Sequence, residues 1–411
     1  MDSLTQITLG AAVGEVVLGK KAGNRAMVWG AIAGTIPDLD IFANFVTDPA
    51  SALAYHRAFT HSLTFSFVTP IVLGFIVHRL YGGKDRLWPT NFWSSLGISW
   101  LALLLMIFGG SALMPLPVKG IPQIALFVSS VIILFPLIFY AREKWRRTPS
   151  SNENPGWKDW SILFFFSIVT HPLLDSCTTY GTQLFEPFSS IRVAWNVISV
   201  VDPLYTVPFL TFLIVASRQK RGSFTRKKYN WAGIIISSIY MVFSSFLMFK
   251  AQNVLDHTAK NKNLQVVNRV VGPTILNSIL WNGCIETDSF FYTGLYSFFD
   301  DEPFYELTPI PKNHHLIKDH WEDEQVKILR WFSNGFFSVY PIDDKILRLG
   351  DLRFGAVNAK GDGPPNFIFY FDMQLQNGEL RAIHVQQGPK DRKAGFSALF
   401  RRLSGEKDAN F

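Results

Sequence analysis

Apolar stretches close to the roughly 20 residues that cross a bilayer as a helix recur along the first 250 positions of the chain. They lie near residues 26–46, 62–80, 92–110, 121–141, 160–178 and 231–249. Residues 197–216 add another, interrupted by Asp202, Pro203 and Pro208. Residues 4–19 are short for a span and rich in small side chains, and read as an eighth, partly buried helix. After Lys250 the pattern changes, and from about residue 261 no apolar run reaches spanning length. Residues 367–385 form two strand-like runs around Asn377-Gly378, a dipeptide suited to a tight hairpin turn. Residues 266–271 and 283–296 are also strand-like, 321–337 helical, 361–365 a loop, and 390–411 a polar tail that frays. The pattern predicts an α-helical polytopic membrane bundle of about seven to eight transmembrane helices over residues 1–250. A soluble α+β domain follows over residues 251–411.

Composition agrees with a membrane chain. Hydrophobic residues make up 48% and charged residues 17%, against about a quarter charged in a soluble protein. The 37 Phe and 12 Trp suit side chains that face lipid and its interface. The net charge of +7 lies mostly in short loops, so it gives no reason to invoke nucleic acid. Cys177 and Cys284 alone make neither a disulfide framework nor a cysteine-rich zinc site. The first residues lack a basic start and carry Glu15 in the apolar run, unlike a secretory signal peptide.

Charge also orients the predicted spans. Lys20, Lys21 and Arg25 form one basic loop, Arg79, Lys84 and Arg86 a second, and Arg142, Lys144, Arg146 and Arg147 a third. Arg218, Lys220, Arg221, Arg226, Lys227 and Lys228 form the fourth. The opposite loops hold only Arg57, Lys119 and Arg192. Sixteen basic residues against three place the basic loops in the cytoplasm. The expected location is the inner membrane, multi-pass, with the C-terminal domain outside the cytoplasm.

Ionisable residues inside or beside these stretches carry the candidate chemistry. They are Pro37-Asp38-Leu39-Asp40, then His56-Arg57-Ala58-Phe59-Thr60-His61-Ser62, then His171-Pro172-Leu173-Leu174-Asp175, and Asp202-Pro203. An Asp at mid-span costs about 2.5–3.5 kcal/mol on insertion scales, so two in one span need compensation. A divalent cation supplies it, because metal ligands are deprotonated and the ion neutralises them. An ion pair or a proton relay also supplies it. His171 and Asp175 are four apart and share a helix face. Asp38 and Asp40 point apart on a regular helix, but a break at Pro37 would let them converge. His56 and His61 suit a loop that enters a helix. Under the predicted topology all these groups fall toward the outer leaflet. Asp202-Pro203 also has a plain reading as a turn, Arg57 as a head-group contact, and Glu15 as the partner of Lys20 or Lys21.

In order and spacing these steps resemble the membrane-bound metal-dependent hydrolases, also described as LexA-binding, inner-membrane-associated putative hydrolases. That family's pattern has a Pro-Asp-Ile/Leu-Asp step, a His-Arg-Gly-x-Thr-His-Ser step and a His-x-x-x-Asp step. A Thr/Gly-rich turn follows, here Thr178-Thr179-Tyr180-Gly181-Thr182. The resemblance covers roughly residues 1–208. Ala58 stands where the pattern has Gly, and Gln6 where many relatives carry His.

Asp38, Asp40, His56, His61, His171 and Asp175 are the expected metal ligands, enough for one or two ions. Mixed His and carboxylate ligands admit Zn, Mn or Fe. The expected activity is hydrolysis by metal-activated water of a lipid or lipid-linked ester or phosphoester. Asp40 or Asp202 would take the proton and Arg57 would hold the substrate's anionic group. A metal- or proton-coupled transporter, or a regulatory protein with a metal staple, would use the same residues differently.

Overall fold

The computed structural model describes residues 1–45, 47–81, 155–357, 365–387 and 392–407. Helix α1 (Ser3–Ala22) starts at Asp2, whose carboxylate accepts from the Thr5 amide at 3.1 Å. It ends at Gly23, φ +60°, where the chain reverses into α2 (Asn24–Thr35). The two pack backbone to backbone: a Cβ on Gly30 would lie 2.2 Å from the Gly10 carbonyl oxygen, and one on Gly10 2.3 Å from that of Gly30. Such an approach needs glycine on both helices. Gly30→Ala is expected to cost about 1–3 kcal/mol, the usual penalty for overpacking. Thermal unfolding in detergent measures it, and an unchanged midpoint would refute the close contact.

Ile36 ends α2, and a 3-10 helix (Pro37–Phe45) leaves at 43°. Helix α3 (Pro49–Tyr55) follows, capped by Asp48, then a 3-10 turn (Phe59–His61) and α4 (Leu63–Leu80). Next come α5 (Trp157–Ser176), α6 (Pro203–Ser217) and the long α7 (Phe224–Asn261). Trp29, Phe65, Trp160, Phe164 and Ile168 lie in one core that joins α2, α4 and α5.

This corrects the expectation of a bundle of seven to eight transmembrane helices. Among the described residues two helices, α4 and α7, are long and apolar enough to cross a membrane, or three if α2 and the 3-10 helix form one bent span. The stretches at 92–110 and 121–141 lie outside the described residues. The others fall short for physical reasons. Helix α1 buries Thr5, Gln6, Thr8 and Glu15 against protein. Helix α5 starts with Lys158 and Asp159 and ends with His171 and Asp175. Helix α6 has 15 residues, about 22 Å at 1.5 Å per residue, against a hydrocarbon core of about 30 Å.

Glu15 also departs from expectation. Its partner is Arg226, with Nε and Nη2 donating to Oε1 and Oε2 at 2.6 and 2.5 Å, both side chains buried. Lys21 pairs instead with Asp159. Arg226 opens α7, so the pair bolts α1 to the start of the longest helix.

The C-terminal domain is built on two four-stranded antiparallel sheets. The first has the order β1 (Asn268–Pro273), β2 (Leu280–Glu286), β3 (Phe290–Ser297), β4 (Thr308–Pro311). The strand-like stretch at 283–296 lies within the β2–β3 hairpin. The second sheet contains β5 (Phe337–Pro341), β6 (Ile346–Asp351), β9 (Phe369–Gln376) and β10 (Glu379–Gln387), in the order β10-β9-β6-β5. Strands β7 (Ala356–Val357) and β8 (Asn366–Phe367) form a small ribbon. The β9–β10 turn is Asn377-Gly378, both at positive φ, with Gln376 opposite Glu379. Helix α8 (Glu324–Phe332) covers the second sheet, and Ala50, Leu53 and Ala54 of α3 join that core. The tail expected to fray forms α9 (Arg392–Leu403), and Arg402 grips Asp300 at 2.7 Å.

Candidate metal centre

The bend after α2 aims two carboxylates at one imidazole. A 3-10 helix repeats every three residues, so Asp38 and Asp40 cannot share a face. Asp38 Oδ1 lies 3.5 Å from His61 Nε2, and Asp40 Oδ2 lies 3.1 Å from His61 Nδ1. The two therefore flank opposite nitrogens of His61 instead of converging on one point. His61 is held between the left-handed Arg57 (φ +60°) and Ser62, whose Oγ caps α4 by accepting from the Phe65 amide. His171 and Asp175 sit one above the other at the end of α5, as their spacing predicts.

Four ligand atoms meet. His171 Nε2 is 3.1 Å from His61 Nε2, 3.4 Å from Asp38 Oδ1 and 3.5 Å from Asp175 Oδ2. His61 Nε2 is 3.4 Å from Asp175 Oδ2. A tetrahedral ion with bonds of 2.0–2.1 Å has ligand–ligand edges of about 3.3–3.4 Å. The five separations that involve a histidine nitrogen fit that figure, and all four atoms lie within 4.8 Å of one another.

The proton positions fit as well. His171 Nδ1 lies 2.6 Å from the Gly34 carbonyl oxygen, which can only accept, so Nδ1 carries the hydrogen. The Asp40 carboxylate fixes His61 Nδ1 as a donor in the same way. Both Nε2 atoms then present lone pairs to each other and to two carboxylate oxygens. Asp175 Oδ2 is buried and makes no well-aligned hydrogen bond among the described residues, its one cationic neighbour being the Arg57 guanidinium at 3.1 Å. Four convergent acceptors with no donor among them suit a cation. This outer ring of carbonyl and carboxylate groups is the usual means of orienting histidine ligands.

Of the six expected ligands, the structure brings Asp38, His61, His171 and Asp175 together as a group that could hold a metal ion. It sets Asp40 and His56 behind them. Asp40 is spent on outer contacts, accepting from His56 Nδ1, the Arg57 amide and Thr60 Oγ1 at 2.8, 2.8 and 3.2 Å. Arg57 is buried, its Nε 3.1 Å from Asp175 Oδ2 and Nη1 donating to Thr178 at 3.0 Å, with its guanidinium over Tyr180. It braces Asp175 and offers no free fork to an anion. Asp202 caps α6 and accepts from Tyr240 and Ser278 at 2.8 and 3.2 Å. Burial pushes its carboxyl up, opposed by those hydrogen bonds. It joins α6, α7 and the C-terminal domain.

Other supports carry less signal in the sequence, although Gln6 stands where many relatives carry His. Gln6 Nε2 donates to Asp175 Oδ1 at 3.0 Å and to the His171 carbonyl at 3.3 Å. The amino group of Met1 also reaches Asp175 Oδ1. The Gly34 carbonyl carries no side-chain signal at all. Thr178 and Tyr180 were visible in the Thr/Gly-rich turn, though not their roles.

A second carboxylate lies nearby in the chain. Glu186 is fully buried, and neither of its oxygens has a hydrogen-bond partner among the described residues. Burial pushes its carboxyl from 4.5 to about 7. A raised carboxyl stabilises the fold fully below the ordinary value, and that contribution is lost as pH rises through about 7. The unfolding midpoint should fall across that window, and Glu186→Gln should flatten the fall. An equal slope in both proteins would exclude Glu186 as its source.

Fold and cluster together define a membrane protein that encloses a candidate metal centre between its helices. The chain belongs to the YdjM inner membrane protein family, whose family model matches residues 1–251. That match contains every member of the cluster, and the family description names the membrane and no reaction. No curated protein and no solved structure matches the chain.

Proposed function

We propose that the chain is a membrane-embedded metal-dependent hydrolase, as the resemblance to the metal-dependent hydrolases implies. The observation that carries the reading is the convergence of four ligand atoms, all within 4.8 Å of one another and each histidine Nε2 3.1–3.5 Å from the other three. Catalytic zinc sites keep three protein ligands and one open position. His61, His171 and Asp175 are buried and braced from behind by Asp40, Gly34, Gln6 and Arg57, and they form the fixed set. Asp38 has a side chain 20% exposed and forms the open edge. These residues would hold a divalent ion, which would supply Lewis-acid activation of water near neutral pH. Asp38, on the open edge, would be the carboxylate left to take a proton, since Asp40 and Asp202 are engaged by their own hydrogen bonds.

The substrate is a lipid or lipid-linked ester or phosphoester. Ile41 and Phe45, on the same 3-10 helix as Asp38, are 52% and 81% exposed, so the open edge adjoins an apolar surface. A metal staple is the other reading that four ligands allow, and Asp38 separates the two.

The test uses full-length protein purified in detergent. Metal per chain is measured, with turnover of phospholipid and lipid-ester panels in mixed micelles. Wild type is expected to carry metal and turn over one class. Asp38→Ala is expected to keep most of its metal and its fold while turnover drops at least about 100-fold, the lower range for loss of a general base. Full turnover by Asp38→Ala, or well-folded wild type that takes up neither zinc nor manganese, would remove the hydrolase.

A further inference from the structure

The connection between α5 and α6 inverts the usual character of a loop. Across residues 181–200 the exposed side chains are Phe185, Phe188, Ile191 and Trp195, at 48%, 84%, 64% and 50%. The charged side chains of the same stretch are withdrawn. Glu186 is buried, and Arg192 donates to the carbonyls of Tyr180, His56 and Gly181 at 3.3, 3.3 and 3.1 Å. A water-facing loop would expose the charges and hide the rings.

The segment is also firmly folded. Thr182 and Val193 exchange backbone hydrogen bonds at 3.0 and 2.8 Å, and the Gln183 and Trp195 amides reach the Arg57 and Ser176 carbonyls at 3.0 and 2.7 Å. Its apolar groups are therefore held outward by a paired backbone. Irregular backbone is excluded from the hydrocarbon core unless it is satisfied or covered, whereas aromatic side chains favour the head-group boundary.

We infer that residues 181–196 are an interfacial anchor that sets Phe185, Phe188, Ile191 and Trp195 into the lipid leaflet on the side of the His/Asp cluster. The occupant is the bilayer because the segment abuts the start of α4, where the Leu63 amide donates to the Leu184 carbonyl at 2.9 Å, and runs into α6, and both helices expose apolar side chains. Leu204 and Val207 are exposed on the first turns of α6, and Phe67 and Ile71 on the spanning helix α4. On its other side the segment meets the C-terminal domain: Trp331 Nε1 donates to the Ser190 carbonyl at 3.2 Å, and Arg192 stacks against Phe332. The segment thus forms a seam, with the sheet domain above and lipid below. It is fastened to the cluster through Arg57 and His56. This inference stands apart from the hydrolase reading, since it concerns depth in the membrane and not chemistry.

Nitroxide labels measure that depth. Phe188→Cys and Ile191→Cys are made in a Cys177→Ser background, Cys284 being buried. The full-length proteins enter vesicles of phosphatidylethanolamine and phosphatidylglycerol, and each label's collision rates with oxygen and with a water-soluble nickel chelate are read. Val242→Cys, on the exposed face of α7, marks lipid, and Asp344→Cys, in the charged β5–β6 turn, marks water. The labels at 188 and 191 are expected to show an oxygen-to-nickel ratio near that at 242 and well above that at 344. A ratio like that at 344 would overturn the anchor. Labels shielded from both reagents would overturn it too, showing that protein covers the patch.

Discussion

His171→Ala protein should purify without its metal while remaining folded. The imidazole contributes one of four ligand atoms, and its Nε2 lies within 3.5 Å of the other three. Alanine leaves three ligands around an open face, and the Gly34 carbonyl loses its donor. Outer partners of metal ligands typically cost about 10–100-fold in affinity when removed, so a ligand should cost more than about 100-fold. Asp40→Asn is the matched comparison. It keeps the shape behind His61 but weakens the acceptor of its Nδ1 hydrogen, so its loss should stay within that 10–100-fold range. Metal titration of both proteins by competition with a chelator gives the two values. Equal losses would mean that Asp40 ligates directly. A His171→Ala protein that unfolds rather than emptying would turn the site into a structural staple.

Arg226→Met should be among the most destabilising single changes. Arg226 and Glu15 are both buried, and their fork meets the carboxylate at 2.5–2.6 Å. Removing one partner of a buried pair strands the other charge, at about 3–5 kcal/mol. Replacing both with apolar residues can be nearly neutral, so Glu15→Leu with Arg226→Met should recover much of the loss. Unfolding midpoints in detergent for the two single variants and the double variant complete the cycle. A double variant as unstable as the singles would mean that packing around Asn24 and α7, and not charge, sets the cost.

The ligand steps were legible because they are local. His171 and Asp175 follow helical spacing, and the Asn377-Gly378 hairpin follows turn chemistry. What lay outside the sequence was direction. Asp38 and Asp40 look like one pair, yet the 3-10 helix sends them to opposite sides of His61, and that geometry depends on a bend at Ile36. The count of spans failed for a related reason. An apolar stretch reads the same whether lipid or protein lies opposite. The polar residues of α1, namely Thr5, Gln6, Thr8 and Glu15, show that its neighbours are protein. Glycines at 10, 14, 30 and 34 look like plain small residues until the helix that abuts them is known.

Helix α7 has 38 residues, about 57 Å at 1.5 Å per residue, nearly twice the bilayer core. Past the apolar part it carries Leu255 and Ala259 into the core of the first sheet, beside Trp281 and Tyr305. No proline interrupts it. The sheet domain therefore has a fixed phase relative to the membrane. One residue added to or removed from the helix below Leu255 would lift or lower that domain by about 1.5 Å and turn it by about 100°. Such a turn would swing the second sheet off α3, while a seven-residue change would return it to within about 20° of its original heading. A seven-residue change would still displace the domain by about 10.5 Å along the helix, so length variation here should be resisted at every step, as in a keyed shaft.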